Sequence, residues 1–239
     1  MTIENVEKPK LVQGKFKYFS GKSHILVSEG KEREDFEAKL KLKALPEMLF
    51  NQNYLKITLD EDQVIEFQCL DSLQEVDPDK YDLQVPVADK WAESRKDLLN
   101  EYSKAEPYDW TYSTKYRGTL SGDWKVTQTD EKIDLDLLKV KEPILFYDEL
   151  VLYEDELGDN GISELRVRIR VMKSGFFILL RFFLRVDGST IRCYDTRYHW
   201  INGKKYILRE VKKVESSIWS EELATKEIWT APEFCDKIC

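Results

Sequence analysis

From Leu165 to Val171 every second residue is apolar, and Arg166, Arg168 and Arg170 fill the positions between. A two-residue period is the pattern of a strand with one buried face. The run Phe176 to Val186 follows after a short polar break, and "STIRCYD" follows it in turn. Asp187 and Gly188 separate the last two runs, and Asp-Gly suits a two-residue hairpin loop. That loop pairs Val186 with Ser189, Leu184 with Ile191, Phe182 with Cys193 and Leu180 with Asp195. Asp195 then shares a face with Leu180 and Phe182, where an unpaired carboxylate is costly. Either Arg192 or Arg197 neutralises it, or this end of the sheet is an exposed docking face; a bulge reverses the assignment.

Elsewhere the pattern predicts two strands in residues 16–30 and a helix over residues 34–45 that ends before Pro46. Paired strands "NYLKITLD" and "QVIEFQCL" come next, then an amphipathic helix over residues 87–102. Tyr108, Trp110, Tyr112, Thr114 and Tyr116 alternate as one face of a strand. Asp134 is placed to cap a short helix. "ILFYDELVLYEDEL" is a strand leading into an acidic, solvated turn. Strands that adjoin in sequence favour antiparallel pairing. The expected class is α+β: antiparallel sheets packed as a sandwich-like core with flanking helices. The expected organisation is a polar lead (residues 1–14), one domain (residues 15–225) and a tail (residues 226–239).

Composition narrows the function. The 239 residues are 42% hydrophobic and 12% aromatic, enough for a real core, and carry a formal net charge of −8. A nucleic-acid binder usually carries a basic excess, so none is expected. The run from Phe176 to Val186 is shorter than the about 20 apolar residues of a spanning helix and contains Arg181 and Arg185, so no membrane span is expected. The start of the chain has no apolar signal core. With four dispersed cysteines, that points to a reducing, cytoplasmic home. Those cysteines and the two histidines, His24 and His199, lack zinc-ligand spacing. No metal or cofactor is expected. Phosphate-cradling glycine loops, nucleophile elbows and zinc-protease motifs are missing.

The aromatic stripe from Tyr108 to Tyr116 reads as core; its alternative is a small-molecule pocket lined by Tyr108, Trp110, Tyr112 and Tyr116. The Arg166, Arg168 and Arg170 face reads as a solvent face paired with Glu154, Asp155 or Glu156. Its alternative is a basic groove for an acidic peptide.

Several motifs carry a resemblance. "LPEMLF", "PYDWTYSTKYRGTL", "LYEDELGDNGIS", "LRVRIRVMKSGFFILLRFFLRVDGSTIR" and "DTR" closely resemble the TIP41-like family, over about Lys15 to Ser220. The resemblance implies an α/β arrangement of antiparallel sheets with helices and no enzymatic activity. It further implies binding to the catalytic subunits of type 2A-family serine/threonine phosphatases (2A, 4 and 6) and a role in TOR signalling. A monomer is expected. By the same resemblance Asp71, Ile133 and Asp195 match phosphatase-contact positions. Cys193 stands where the family has a contact methionine, which shortens an adaptable apolar side chain.

Overall fold

A computed structural model describes residues 8–42, 44–60, 62–76, 89–94, 114–216 and 234–239. Two antiparallel sheets dominate it. The smaller runs in the order β1 (Leu11–Gln13), β2 (Phe16–Gly21), β4 (Tyr54–Leu59), β5 (Gln63–Gln68) and β6 (Thr119–Ser121). The larger begins β3 (Met48–Leu49), β8 (Ile144–Asp155), β9 (Gly161–Met172) and β10 (Gly175–Val186). It continues through β11 (Thr190–Ile201), β12 (Ile207–Ser216) and β13 (Phe234–Ile238) to β7 (Val126–Gln128). Short helices α1 (Lys31–Glu37), α2 (Cys69–Gln74), α3 (Asp89–Ser94) and α4 (Leu135–Lys139) join them. This is the α+β class that the alternation predicts.

The core lies between the sheets and comes from alternate positions of each strand. Phe176, Ile178, Leu180, Phe182 and Leu184 of β10 are all buried. Opposite them, β2, β4 and β5 bring Phe16, Tyr18, Leu55, Ile57, Ile65 and Phe67. Phe176 meets Phe16 edge-on at 5.3 Å and Tyr18 at 5.9 Å between ring centroids. Phe67 meets Tyr198 edge-on at 5.7 Å. Such edge-to-face contacts between large rings dominate a core's energetics.

The register at the Asp187 hairpin differs from the expected one by a single residue. Val186 pairs with Thr190, so the loop holds three residues, Asp187, Gly188 and Ser189. The Ser189 N–H donates to the Val186 carbonyl at 3.0 Å, and Gly188 takes the left-handed conformation, φ 70°. Gly188 is thus the third residue of a four-residue turn from Val186 to Ser189, a position where positive φ favours glycine. One residue of slip moves each side chain to the other face. Arg181 rather than Leu180 therefore faces Asp195, and Phe183 rather than Phe182 faces Cys193. The carboxylate leaves the apolar face altogether.

Other expectations shift as well. The helix over residues 34–45 stops at α1. Leu40 and Leu42 follow as irregular chain, partly buried on the core. They flank Lys41, a two-residue spacing that a helix would split between faces. Only β2 forms a strand in residues 16–30. "QVIEFQCL" is strand to Gln68 and then turns into α2. The acidic turn is solvated only in part: Glu156 and Asp159 are exposed, but Asp155 is buried and accepts N–H bonds from Leu157 at 2.8 Å and Glu47 at 3.1 Å. Burial pushes its pKa up to about 7. Within the stretch assigned as lead, β1 pairs with β2. Within the stretch assigned as tail, β13 lies between β12 and β7, where Arg209 holds Asp236 at 2.7 Å and Ile238 is fully buried. Most of the predicted helix over residues 87–102 lies outside the described residues, which place α3 within it.

One connection shapes the outer surface. β7 ends the larger sheet and β8 lies near its other end, so the intervening chain must cross the sheet. It crosses on the face turned away from the core, carrying α4 with it.

In urea unfolding, Phe176→Ala is expected to cost about 3–5 kcal/mol. Gly188→Ala is expected to cost about 1 kcal/mol, because the position requires positive φ. A Gly188→Ala protein as stable as the wild type refutes the left-handed backbone at that position.

Candidate functional site

The outer face of the larger sheet collects charge in neighbouring strands. β9 presents Arg166, Arg168 and Arg170; β10 presents Arg181; β11 presents Cys193, Asp195, Arg197 and His199. The arginines of β9 are largely neutralised, as the solvent-face reading expected, but by different partners. Arg166 pairs with Glu149 and, at 2.7 Å, with Glu164; Arg168 reaches Glu149 at 3.0 Å. Glu149 is directly across the β8–β9 ladder from Arg168, whereas Glu154 is opposite Glu164. A shared sheet face selects the partners: Glu149 comes from the neighbouring strand and Glu164 from two residues along the same one. Arg170 donates to the carbonyl of Leu138 at 3.1 Å and so ties α4 down.

The crossing segment is pinned at successive points. Glu131 accepts from Lys204 at 2.7 Å and Lys237 at 2.9 Å, as well as from the Tyr206 hydroxyl. The Ile133 N–H donates to Glu210 Oε1. Asp134 caps α4, accepting from the Asp136 N–H at 2.9 Å, as its sequence position predicted. Beneath it lies a cavity of about 270 Å³ lined in part by Ile133, Leu137, His199 and Leu208. His199 packs edge-on against Phe177 at 6.2 Å, and burial lowers its pKa.

Asp195 is the centre of the uncovered part. Its Oδ1 accepts from Arg181 Nε at 2.7 Å and its Oδ2 from Arg181 Nη2 at 2.8 Å. Arg197 Nη2 adds a third bond at 3.1 Å. The neutralising partners are thus Arg181 and Arg197; Arg192, the other candidate, faces Leu184 and Glu215 in the ladders. Burial opposes the carboxylate's charge, but the guanidinium groups of Arg181 and Arg197 outweigh it and hold its pKa below the usual range. The Cys193 thiol lies 3.6 Å from Asp195 Oδ1. Burial and then the Asp195 charge push its pKa up to about 11. At neutral pH it is a protonated, weakly polar contact and not a thiolate nucleophile.

Three of the four residues named as contacts thus share one face. Cys193 and Asp195 are two apart on β11, and Ile133 reaches the same face through Glu210, which is opposite Arg197. Two of the three are buried: Asp195 is 4% exposed and Ile133 6%. Asp71 belongs to another neighbourhood. It sits in the first turn of α2 by the smaller sheet and accepts from the Thr119 hydroxyl. Sequence reasoning missed Arg181 because the two-residue loop put Leu180 opposite Asp195. The signal was present in the alternation of Arg181 with Leu180 and Phe182.

Of the aromatic stripe, Tyr108, Trp110 and Tyr112 lie outside the described residues. Tyr116 is buried, and its hydroxyl donates to the Glu66 carbonyl at 3.0 Å and accepts from the Gln68 N–H at 3.2 Å. A cavity of about 800 Å³ opens elsewhere, at the end of the sandwich beside Phe16, Trp200 and Tyr206. No described helix is long and apolar enough to cross a membrane.

Fold and surface together define a two-sheet α+β protein with a charged, partly self-covered outer face. The TIP41-like family profile matches residues 48–221. The human TIP41-like protein is 43% identical over 222 residues, 92% of this chain and 81% of the relative. The TIP41-like protein of Dictyostelium discoideum is 40% identical over 83% of this chain and 76% of its own. The type 2A phosphatase activator TIP41 of Saccharomyces cerevisiae is 38% identical over 90% of this chain and 65% of its own length. The chain belongs to the TIP41-like family.

The Glu149 pairings carry a pH signature. Burial opposes the charge, but bonds from Arg166, Tyr147 and Arg168 hold the carboxyl at about 2, below its usual 4.5. A depressed acid stabilises the fold fully above its unfolded pKa and loses that contribution as pH falls through the folded one. Thermal melts should therefore show Glu149→Gln below wild type above pH 4.5, with the gap closing towards pH 2. A gap that stays constant across that range refutes the ion-pair origin.

Proposed function

We propose that this protein is a non-enzymatic regulator of type 2A-family serine/threonine phosphatases that acts by binding their catalytic subunit. The observation that carries this reading is the match, over most of the chain, to yeast relatives named type 2A phosphatase activators. The outer face suits such a role. It combines half-buried apolar positions, among them Leu179, Phe183, Cys193 and Val214, with ordered charge pairs. Interfaces are built in this way, with an apolar centre and polar groups whose bonds are satisfied. The neutral Cys193 thiol supplies packing there. The contact at Asp71 lies on the smaller-sheet side, so engaging it together with Cys193 requires a partner that reaches both neighbourhoods. We further propose that this regulator acts in the cytoplasm, in TOR signalling, as a monomer on phosphatases 2A, 4 and 6.

Titrating a purified type 2A catalytic subunit with this protein tests the reading, with complex formation and phosphatase turnover followed together. Binding is expected, with a change in turnover whose sign separates activation from inhibition. Cys193→Glu is expected to weaken binding more than about tenfold, because it buries a new charge at the interface. Wild type that neither binds nor alters turnover removes the proposal.

A further inference from the structure

We propose that Arg181, not Asp195, is the group this face presents to a partner, and that it reads a carboxylate on an acidic partner surface. Asp195 is then a positioning residue. The inference rests on the phosphatase-binding reading and sharpens which chemistry the contact uses.

Asp195 is poorly placed to meet a partner's cation. It is 4% exposed, and both of its oxygens already accept from guanidinium groups. A cation arriving from outside would have to displace one of those arginines. Arg181 is the reverse case. Its side chain is 39% exposed, against 5% for that of Asp195. It spends Nε and one Nη2 proton on Asp195. A guanidinium carries five N–H donors, so most of the fork remains available, and no other acceptor holds it among the described residues.

The local charge favours an anion. Arg181, Arg197 and, across the ladder from Asp195, Lys212 stand with two carboxylates, Asp195 and the buried Glu210 opposite Arg197, which leaves one positive charge in excess at the centre of the face. The chain as a whole is at −8, so this face is opposite in sign to the average surface. Such a field steers acidic partners towards it. A carboxylate matches the planar fork in two bonds at once, which a lysine cannot reproduce. The Asp195 bonds also hold the Arg181 side chain in one geometry before any partner arrives, so little rotamer freedom is left to lose on binding.

The test measures affinity for a purified type 2A catalytic subunit as a function of salt, using wild type, Arg181→Gln, Arg181→Lys and Asp195→Asn. A second arm uses an immobilised hexaglutamate peptide in place of the phosphatase. Melting curves accompany each variant. The proposal expects Arg181→Gln to lose more than about tenfold and to flatten the salt dependence. Arg181→Lys keeps the charge and an ion pair to Asp195, so it folds, yet it loses several-fold for want of the fork. Asp195→Asn loosens the fork and loses affinity several-fold, yet it steepens the salt dependence, because the face becomes more positive. A direct Asp195 contact with a partner cation predicts the opposite: Asp195→Asn flattens the salt dependence and Arg181→Lys behaves as wild type, and that result overturns the inference. Equal binding by wild type and Arg181→Gln in both arms overturns it too. If wild type ignores the phosphatase but the peptide arm separates wild type from Arg181→Gln, the functional reading alone falls.

Discussion

The pairing of Arg181 with Asp195 across β10 and β11 is the contact on which the arrangement of the larger sheet turns. It is a cross-strand, two-bond ion pair on the face opposite the core. Its position forces Leu180, Phe182 and Leu184 inward, because neighbours on a strand alternate sides. The same choice places Arg197 beside Asp195 and Glu210 opposite Arg197. Glu210 in turn receives the Ile133 N–H and so anchors the crossing segment. A register one residue different would bury Asp195 against Leu180 and leave Arg181 without its carboxylate. A carboxylate buried without a partner is costly, so the wrong register is disfavoured by charge as well as by apolar burial.

Much of this was legible in the sequence. The long hairpins β8 to β11 announce themselves through strict alternation, and the cap at Asp134 through its residue type. The α+β class follows from strands that adjoin. The register was not legible because Asp-Gly fits both a two-residue loop and a three-residue loop with glycine in the left-handed position. Local turn chemistry leaves that open, and the Arg181–Asp195 pair settles it from afar. β13 was hidden for another reason. "FCDKI" has Asp236 where a core-facing strand residue should be apolar, and only Arg209 on β12 makes that position tolerable. The end of α1 was missed because helix propensity is a weak prior against burial of Leu40 and Leu42.

The candidate site divides along the same line. Cys193 and Asp195 could be named from motif resemblance, and their sharing of a face from spacing alone. That Asp195 is saturated and sealed could not: Arg197, two residues on, is a partner the sequence suggests, but Arg181 comes into range only through the strand register. Ile133 sits next to the helix cap at Asp134, and that local setting does not call for burial. It is buried because strand order, invisible in any local window, sends its segment across the sheet.

The outer face is thus covered in two ways. One part is roofed by the protein's own chain, pinned through Glu131, Ile133 and Leu138. The rest is covered by side-chain ion pairs: Glu149 with Arg166 and Arg168, Asp195 with Arg181 and Arg197. These pairs contribute little to stability individually where they are exposed. Their structural effect is to immobilise long side chains that would otherwise sample many rotamers. An outer sheet face held in this way offers a partner one fixed pattern of charge between apolar positions. Recognition there depends on complementarity to that pattern rather than on rearrangement of the sheet.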